Sequence, residues 1–348
     1  MRERWGLGPH AQMSPELEER LCFTATVAGS YEAAAALAGK WGVAVDDATI
    51  QRHVQQAGAR VEQAASARVE RALAPQTRMQ VVEQAAQEAG EDCALVIMMD
   101  GWMARERGPD WGLKPPEKPG DRAPWHEMKT AVVFRLEQRA RSQSGRALIV
   151  EKFMEAWRGD PFQFGRRVYA LALRKGLNQA RHVYVISDGA AWIWNIVEDR
   201  FQPATELLDF YHASQHLWAV AQHLHPQDET RARNWIQPLL HQLRHGQEQK
   251  ALRKLERLLG KNAGNVDESL QREVHYFRRH RERLHYQAVA EQGAPIGSGA
   301  VESACAQLQT RLKGPGKFWS QQGKNHLLAL DLARRNGDWD DDFWFQAA

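Results

Sequence analysis

Three carboxylates stand in matched settings along the chain. Asp100 ends the apolar run Cys93-Ala-Leu-Val-Ile-Met-Met99, Asp188 ends His182-Val-Tyr-Val-Ile-Ser187, and Glu302 follows Gly297-Ser-Gly299 at the start of a helical pattern. Acids distant in sequence can meet in a fold and hold divalent metal. Two metal ions roughly 3.5–4 Å apart activate an attacking oxygen and stabilise a leaving one, which suits phosphodiester cleavage and transfer. Taken singly, each acid also reads as a turn or cap residue, because Asp and Glu are favoured at turns and helix N-termini. Two of them at strand ends point further, since functional groups collect at the carboxyl ends of neighbouring strands in open α/β sheets. Beside the first acid, Gly101 permits close backbone approach, and Trp102 and Arg105 offer a stacking surface and a phosphate partner.

Other polar groups surround this set. Asp209-Phe-Tyr-His212, with His216 one turn on, has the spacing of a hydrogen-bonded cluster or of a weak zinc site. Past Glu302, the residues Arg311, Lys313, Lys317, Trp319 and Lys324 interleave base with aromatic around Gly314-Pro-Gly316, a composition suited to phosphate contact and base stacking. Near the start, Ser30 to Ala38 reads as a helix, 39–45 as a turn, and Asp46 to Gln55 as an Asp-capped second helix, a candidate helix-turn-helix. Ile50 and Val54 would face inward there, leaving Thr49, Gln51, Arg52, His53 and Gln55 for base edges or phosphates. An ordinary helical hairpin fits the same pattern.

The elements that must position these residues follow from periodicity. Residues 15–70 read as helical. The pattern then becomes strand-like over 93–99, 128–136 and 147–150, and two short links between these strands predict an antiparallel meander. A helix near 162–175, a strand at 182–187, a helix from about Ala190 and a short strand at 205–208 come next. Three strands followed by alternating helix and strand fit an α/β fold with a ribonuclease H-like mixed sheet. Residues 213–290 read as almost wholly helical, an insertion before the last acid. On the helix bearing Glu302, Val301, Cys305, Leu308 and Leu312 form an apolar stripe with Glu302 at its border. The expected division is a helical N-terminal region over 1–90, a first part of the catalytic core over 91–212, the insertion over 213–290, and C-terminal core helices over 291–348. The segment from Gly108 to Pro124, dense in Pro, Gly and charge, reads as a loop able to order on a ligand.

Composition narrows the setting. The 348 residues carry a formal charge of only +3, a weak signal for nucleic acid by itself. Locally the balance is stronger, with thirteen Lys and Arg against six Asp and Glu between Arg231 and His285. Cys22, Cys93 and Cys305 form no Cys-x-x-Cys pair and read as buried thiols. The longest apolar run is well short of the roughly 20 residues that span a bilayer, and no apolar signal core follows Met1, so a cytoplasmic protein without a membrane partner is expected.

Together these motifs resemble the DDE transposases of the Mutator-like group, most closely its bacterial insertion-sequence branch. The resemblance rests on Met99-Asp100-Gly-Trp102, on Ile186-Ser-Asp188-Gly-Ala-Ala-Trp-Ile-Trp194, on Leu208-Asp209-Phe-Tyr-His212-Ala213, and on Gly297-Ser-Gly299 through Val301-Glu302-Ser303 to Arg311-Leu-Lys313, and it spans roughly 93–335. It implies a ribonuclease H-like catalytic domain in which Asp100, Asp188 and Glu302 form the catalytic triad and hold magnesium, for which manganese can substitute. Asp209 and His212 then match the group's further signature between the second and third acids. The implied activity is cleavage at element ends and transfer of the freed 3′-hydroxyl to target DNA. The implied partners are double-stranded DNA, as terminal inverted repeats and as target, and further copies of the chain in a homo-oligomer. Two alternatives remain open at this point: a transposon-derived DNA-binding protein without catalysis, and a structure-specific nuclease on the same fold that cuts without joining.

Overall fold

The computed structural model describes residues 13–89, 93–108, 111–112, 123–143, 147–261 and 267–345. Four helices open it: α1 (Pro15–Val27), α2 (Tyr31–Lys40), α3 (Asp47–Leu73) and α4 (Pro75–Ala89). The first three start where a short polar side chain can take an orphan N–H. Ser14, Ser30 and Asp46 each accept from the backbone three residues on, the usual N-cap arrangement. Helix, turn and Asp46-capped helix thus stand where the sequence pattern placed them. The second helix, however, is 27 residues long, running far past Gln55. It packs along later parts of the chain, against α5 (Pro161–Arg174) and α13 (Gln321–Asn336). Gly58 marks its closest approach to α13, where a β-carbon would come within 2.5 Å of His326.

The strands are β1 (Ala94–Arg105), β2 (Trp125–Arg135), β3 (Arg139–Arg141), β4 (Ala147–Ile149), β5 (Phe153–Trp157), β6 (His182–Ser187) and β7 (Thr205–Leu208). Five of them make a mixed sheet in the order β5-β2-β1-β6-β7. β1, β2 and β5 form the antiparallel part, while β6 and β7 run parallel to β1. The parallel links need crossovers. These are α5, before β6, and α6 (Ala191–Arg200), before β7. Residues 94–99 of β1 and 184–186 of β6 are apolar and buried because both faces of the sheet are covered there.

Two strand expectations change. The segment 147–150 does not supply the third strand of the meander: β4 pairs with β3 in a separate two-stranded ribbon, and β5 takes the place beside β2. β1 also does not stop at Met99. It continues through Asp100 to Arg105, paired with β2 throughout, so Asp100 lies within a strand.

After β7 the chain is helical, as expected: α7 (Phe210–Leu224), α8 (Glu229–Arg244), α9 (Glu248–Lys261), α10 (Glu268–Arg279), a 3-10 turn (Arg281–Arg283) and α11 (Tyr286–Glu291). α12 (Gly299–Leu312) then crosses β1 and β2, and α13 and α14 (Trp339–Phe343) complete the described chain. The apolar stripe of α12, Val301, Cys305, Leu308 and Leu312, is buried. So are all three cysteines, none of them in a disulfide. Among the described residues no helix is long and apolar enough to cross a membrane. Most of the loop between Gly108 and Pro124 lies outside the described residues.

Candidate functional site

Strand register brings the first two acids together. Met99 of β1 lies opposite Ser187 of β6 in the parallel ladder, and the Met99 N–H donates to Ser187 Oγ at 3.0 Å. The next residue on each chain is Asp100 and Asp188, so both project beyond the last shared rung. Residues in register on neighbouring strands point to the same face of a sheet, which places the two carboxylates side by side. Each is half-buried. Asp100 Oδ1 accepts the Gly101 N–H at 2.6 Å, and Asp188 Oδ1 accepts the Ala190 N–H at 2.9 Å.

The electrostatics agree with this placement. The Asp100 carboxyl is held above its usual range by burial and by the negative charge of Asp188, against opposing pulls from the Gly101 N–H, the Cys305 thiol and His212. Burial likewise pushes the Cys305 thiol up to about 12, helped by the charges of Asp100 and Glu302. The Cys305 thiol therefore feels both Asp100 and Glu302. Thr130, the β2 residue opposite Asp100, also hydrogen-bonds to this thiol.

Glu302 occupies the exposed side of the first turn of α12, where Ser298 Oγ donates to its Oε1 at 3.1 Å. What fixes this turn is Asp209. Fully buried, it caps α7 by accepting the His212 N–H at 2.6 Å, and its other carboxylate oxygen accepts the Ser298 N–H. Its own N–H donates to Ser187 O at 2.8 Å. Asp209, through its N–H and its carboxylate, thus ties the end of β6, the start of α7 and the loop before α12 into a unit. Gly297 is required in that loop, because a β-carbon would meet the Tyr211 ring at 2.8 Å. Asp209 is accordingly a positioning residue, and His212 on the following turn is close enough to act on Asp100.

Hard carboxylate oxygens with no ammonium or guanidinium partner are the donor set magnesium and manganese prefer. No Lys or Arg among the described residues is ion-paired with Asp100, Asp188 or Glu302, and the charges felt by Asp100 are those of Asp188 and His212. The Asp100–Asp188 pair therefore fits such an ion. The set is not closed, however: among the described residues no three His, Cys, Asp or Glu side chains gather into a ready-made metal site. Glu302, held by Ser298, is the member that stands apart.

The expected DNA-contacting residues divide into two groups. Arg105, Lys313 and Lys317 line one surface groove with Gly314, Pro315, Gly316, Trp125 and Phe318. Arg105 lies 4.7 Å from the Trp125 ring centre and Lys313 5.4 Å from it. Trp125 and Phe318 were not expected; the alternation of base and aromatic after Arg311 includes Phe318, but no local pattern links Trp125 to it. Thr49, Gln51 and Arg52 remain on the outer side of α3, with the Arg52 guanidinium bonded to Thr49 Oγ1 at 2.9 Å.

The other residues are engaged internally. Lys324 is fully buried, with its ammonium paired to Glu106 and 3.0 Å from Met128 Sδ. Arg311 is buried against α1, donating to Ala25 O at 3.3 Å, and lies over the rings of Tyr31 and Trp319. Trp319 donates its indole N–H to Leu312 O at 2.9 Å. His53 is bonded to Glu18 at 2.8 Å, and Gln55 to Gly323 O at 3.3 Å. These five hold helices together and are not free to contact DNA.

The insertion also reaches the site. Tyr276 of α10 packs against Gly189, next to Asp188, where a β-carbon would come within 2.3 Å of its ring. It stacks on His216 with ring centres 3.7 Å apart, and His216 is bonded to Glu273 at 2.6 Å. His216 thus belongs to a hydrogen-bonded cluster. The sequence pattern carries no signal for Tyr276, since only the docking of α10 on α7 brings it to the sheet.

A family profile described as Uncharacterised protein family (UPF0236) matches residues 170–345, half of the chain, and the chain belongs to that family. The match takes in Asp188, Asp209, His212 and Glu302 and begins after Asp100. No curated protein matches the chain.

Proposed function

We propose that this UPF0236 protein is a DNA transposase of the DDE type, built on a ribonuclease H-like core, with Asp100, Asp188 and Glu302 as its acids. The observation that carries the reading is the β1–β6 register, which sets Asp100 and Asp188 side by side where the parallel pairing of the two strands ends, under the helix that bears Glu302. The sheet order supports it: an antiparallel meander with its first strand central, then two parallel strands beyond it, is the ribonuclease H-like arrangement.

Asp100, Asp188 and Glu302 would hold magnesium, with manganese able to replace it. Bound there, the metal would supply Lewis-acid activation of the attacking oxygen and charge stabilisation for the leaving one. The chain's own contribution is positioning. The β1–β6 ladder fixes two carboxylates, Asp209 and Ser298 fix the turn that carries the third, and His212 lies near enough to act electrostatically on Asp100. Arg105 and Lys313 offer phosphate contacts in the groove they share with Lys317, whose ammonium donates to Thr310 O at 2.7 Å. Positioning and charge are most of what an in-line displacement at phosphorus requires.

The test uses the full chain with DNA carrying the ends of its own element, in magnesium. Alanine at Asp100, Asp188 or Glu302 is expected to lower cleavage by at least about 10³-fold, a loss typical of removing a principal catalytic group, while DNA binding persists. Metal-dependent cleavage retained in all three variants contradicts the assignment. Joined products in a strand-transfer assay separate a transposase from a nuclease that only cuts.

A further inference from the structure

On the outer edge of the sheet, the end of α10 and the 3-10 turn after it form a second basic groove against the start of β7. Arg278, Arg279, Arg281, Arg283 and His285 line it, with Glu206 and Glu282 as its acids. Not all of these cations are available. Arg283 is bonded to Glu206 at 2.6 Å and lies 4.3 Å from the Trp194 ring centre. Arg278 reaches only as far as Glu256, at 3.7 Å, with both side chains about half exposed. Arg281 leans on Glu282, its own neighbour, at 3.5 Å. Arg279 is exposed and has no acidic partner among the described residues. Three guanidinium groups thus remain loosely held or unpaired around one concavity.

The local field is positive. His280, between these arginines, is held down to about 4 by burial and then by the charges of Arg283 and Arg279. Helix α10 links this groove to the carboxylate site. Tyr276 touches Gly189 beside Asp188, and Arg279 follows three residues later on the same helix, a rise of about 4.5 Å. A polyanion held at the acids has this groove in reach.

We propose that the groove of Arg278, Arg279 and Arg281 is a second phosphate-binding surface, which takes the sugar-phosphate backbone of duplex DNA running out from the carboxylate site. The identity of the polymer rests on the transposase reading. The chemistry of the groove is independent of it: separate, exposed guanidinium groups suit successive phosphates. No Trp, Tyr or Phe is among the residues lining the groove, and the Trp194 ring is covered by Arg283, so contact is to backbone and carries no base preference.

The experiment compares the wild-type chain with R279A/R281A and, as a control, R105A/K313A, by fluorescence anisotropy with a labelled duplex of arbitrary sequence across a salt series. Both groove residues are exposed, and melting curves confirm that each variant is folded. Each lost phosphate contact makes the slope of log affinity against log salt shallower by about 0.9. R279A/R281A is expected to lose about one to two in slope and roughly tenfold in affinity, equally for duplexes of different sequence. A wild-type slope in R279A/R281A overturns the groove while leaving the transposase reading standing. Wild-type protein that binds duplex with the groove contributing but never cleaves overturns the transposase reading and not the groove. Wild-type protein with no affinity for duplex DNA overturns both, and loss confined to single-stranded RNA overturns the duplex assignment.

Discussion

Two carboxylates placed side by side with no cation between them repel, and the fold carries that cost in the settings of Asp100 and Asp188. Burial and the charge of Asp188 both hold the Asp100 carboxyl above its usual range, as expected where function has been favoured over stability. Asp100→Asn removes the repulsion and keeps the shape. In EDTA, scanning calorimetry is therefore expected to show this variant melting about 1–2 °C above the wild type, as a relief of about 1 kcal/mol would give in a chain of 348 residues. Adding magnesium should then raise the melting temperature of the wild type and leave the variant nearly unmoved, because only the state that binds the ion is stabilised by it. A variant that melts lower in EDTA, or gains as much from magnesium as the wild type, contradicts this account of the pair. Asp100 and Asp188 were legible in the sequence because each ends an apolar run. The internal roles of Lys324 and Arg311 were not, because composition cannot distinguish a solvated base from one whose partner comes from elsewhere in the chain. Glu106 lies 218 residues from Lys324, and Ala25 lies 286 from Arg311.

Among the elements, the loop before α12 decides where the third acid stands, and Asp209 holds that loop. Asp209→Ala leaves the N–H groups of His212 and Ser298 without their acceptor in a buried place. Hydrogen bonds to a charged group contribute about 1.5–3 kcal/mol each, and losing two of them is expected to cost roughly 3 kcal/mol in urea unfolding, given that such losses are not additive. Cleavage should fall with it, while Asp209→Asn, which keeps an acceptor oxygen, should retain part of both. Unchanged stability in Asp209→Ala would show that the clamp does not hold the loop. Much of this level was readable: β6, β7, α5, α6 and the helices of the insertion lie where periodicity placed them. The third strand was not. The segment 147–150 is apolar enough to pass for a sheet strand, yet it pairs with β3 only, and β5, a five-residue run Phe153, Met154, Glu155, Ala156, Trp157 with no regular alternation, carries no strand signal of its own. The error has a physical origin, because a strand's pattern shows that it is half-buried but not which strand it pairs with.

For the whole molecule, the mixed sheet lies at the centre, with α5 and α6 as crossovers and α12 lying across β1 and β2. The helical insertion reaches back over the sheet's outer edge through Tyr276. Basic surfaces lie at Arg105, Lys313 and Lys317 and again at Arg279 and Arg281, so the charge that the modest total of +3 conceals is concentrated locally. Sequence periodicity reads helix through residue 70 but could not foresee that α3 packs along α13 and α5, because a helix's length is visible in its pattern while its neighbours are not. The central claim is that the three acids share metal, and the most direct measurement is an anomalous-diffraction map of crystals soaked in manganese, with DNA bound. The account predicts peaks bounded by Asp100 and Asp188, with Glu302 turned away from Ser298 to join them. Manganese bound elsewhere, or Glu302 still held by Ser298 while Asp100 and Asp188 bind no ion, would contradict it.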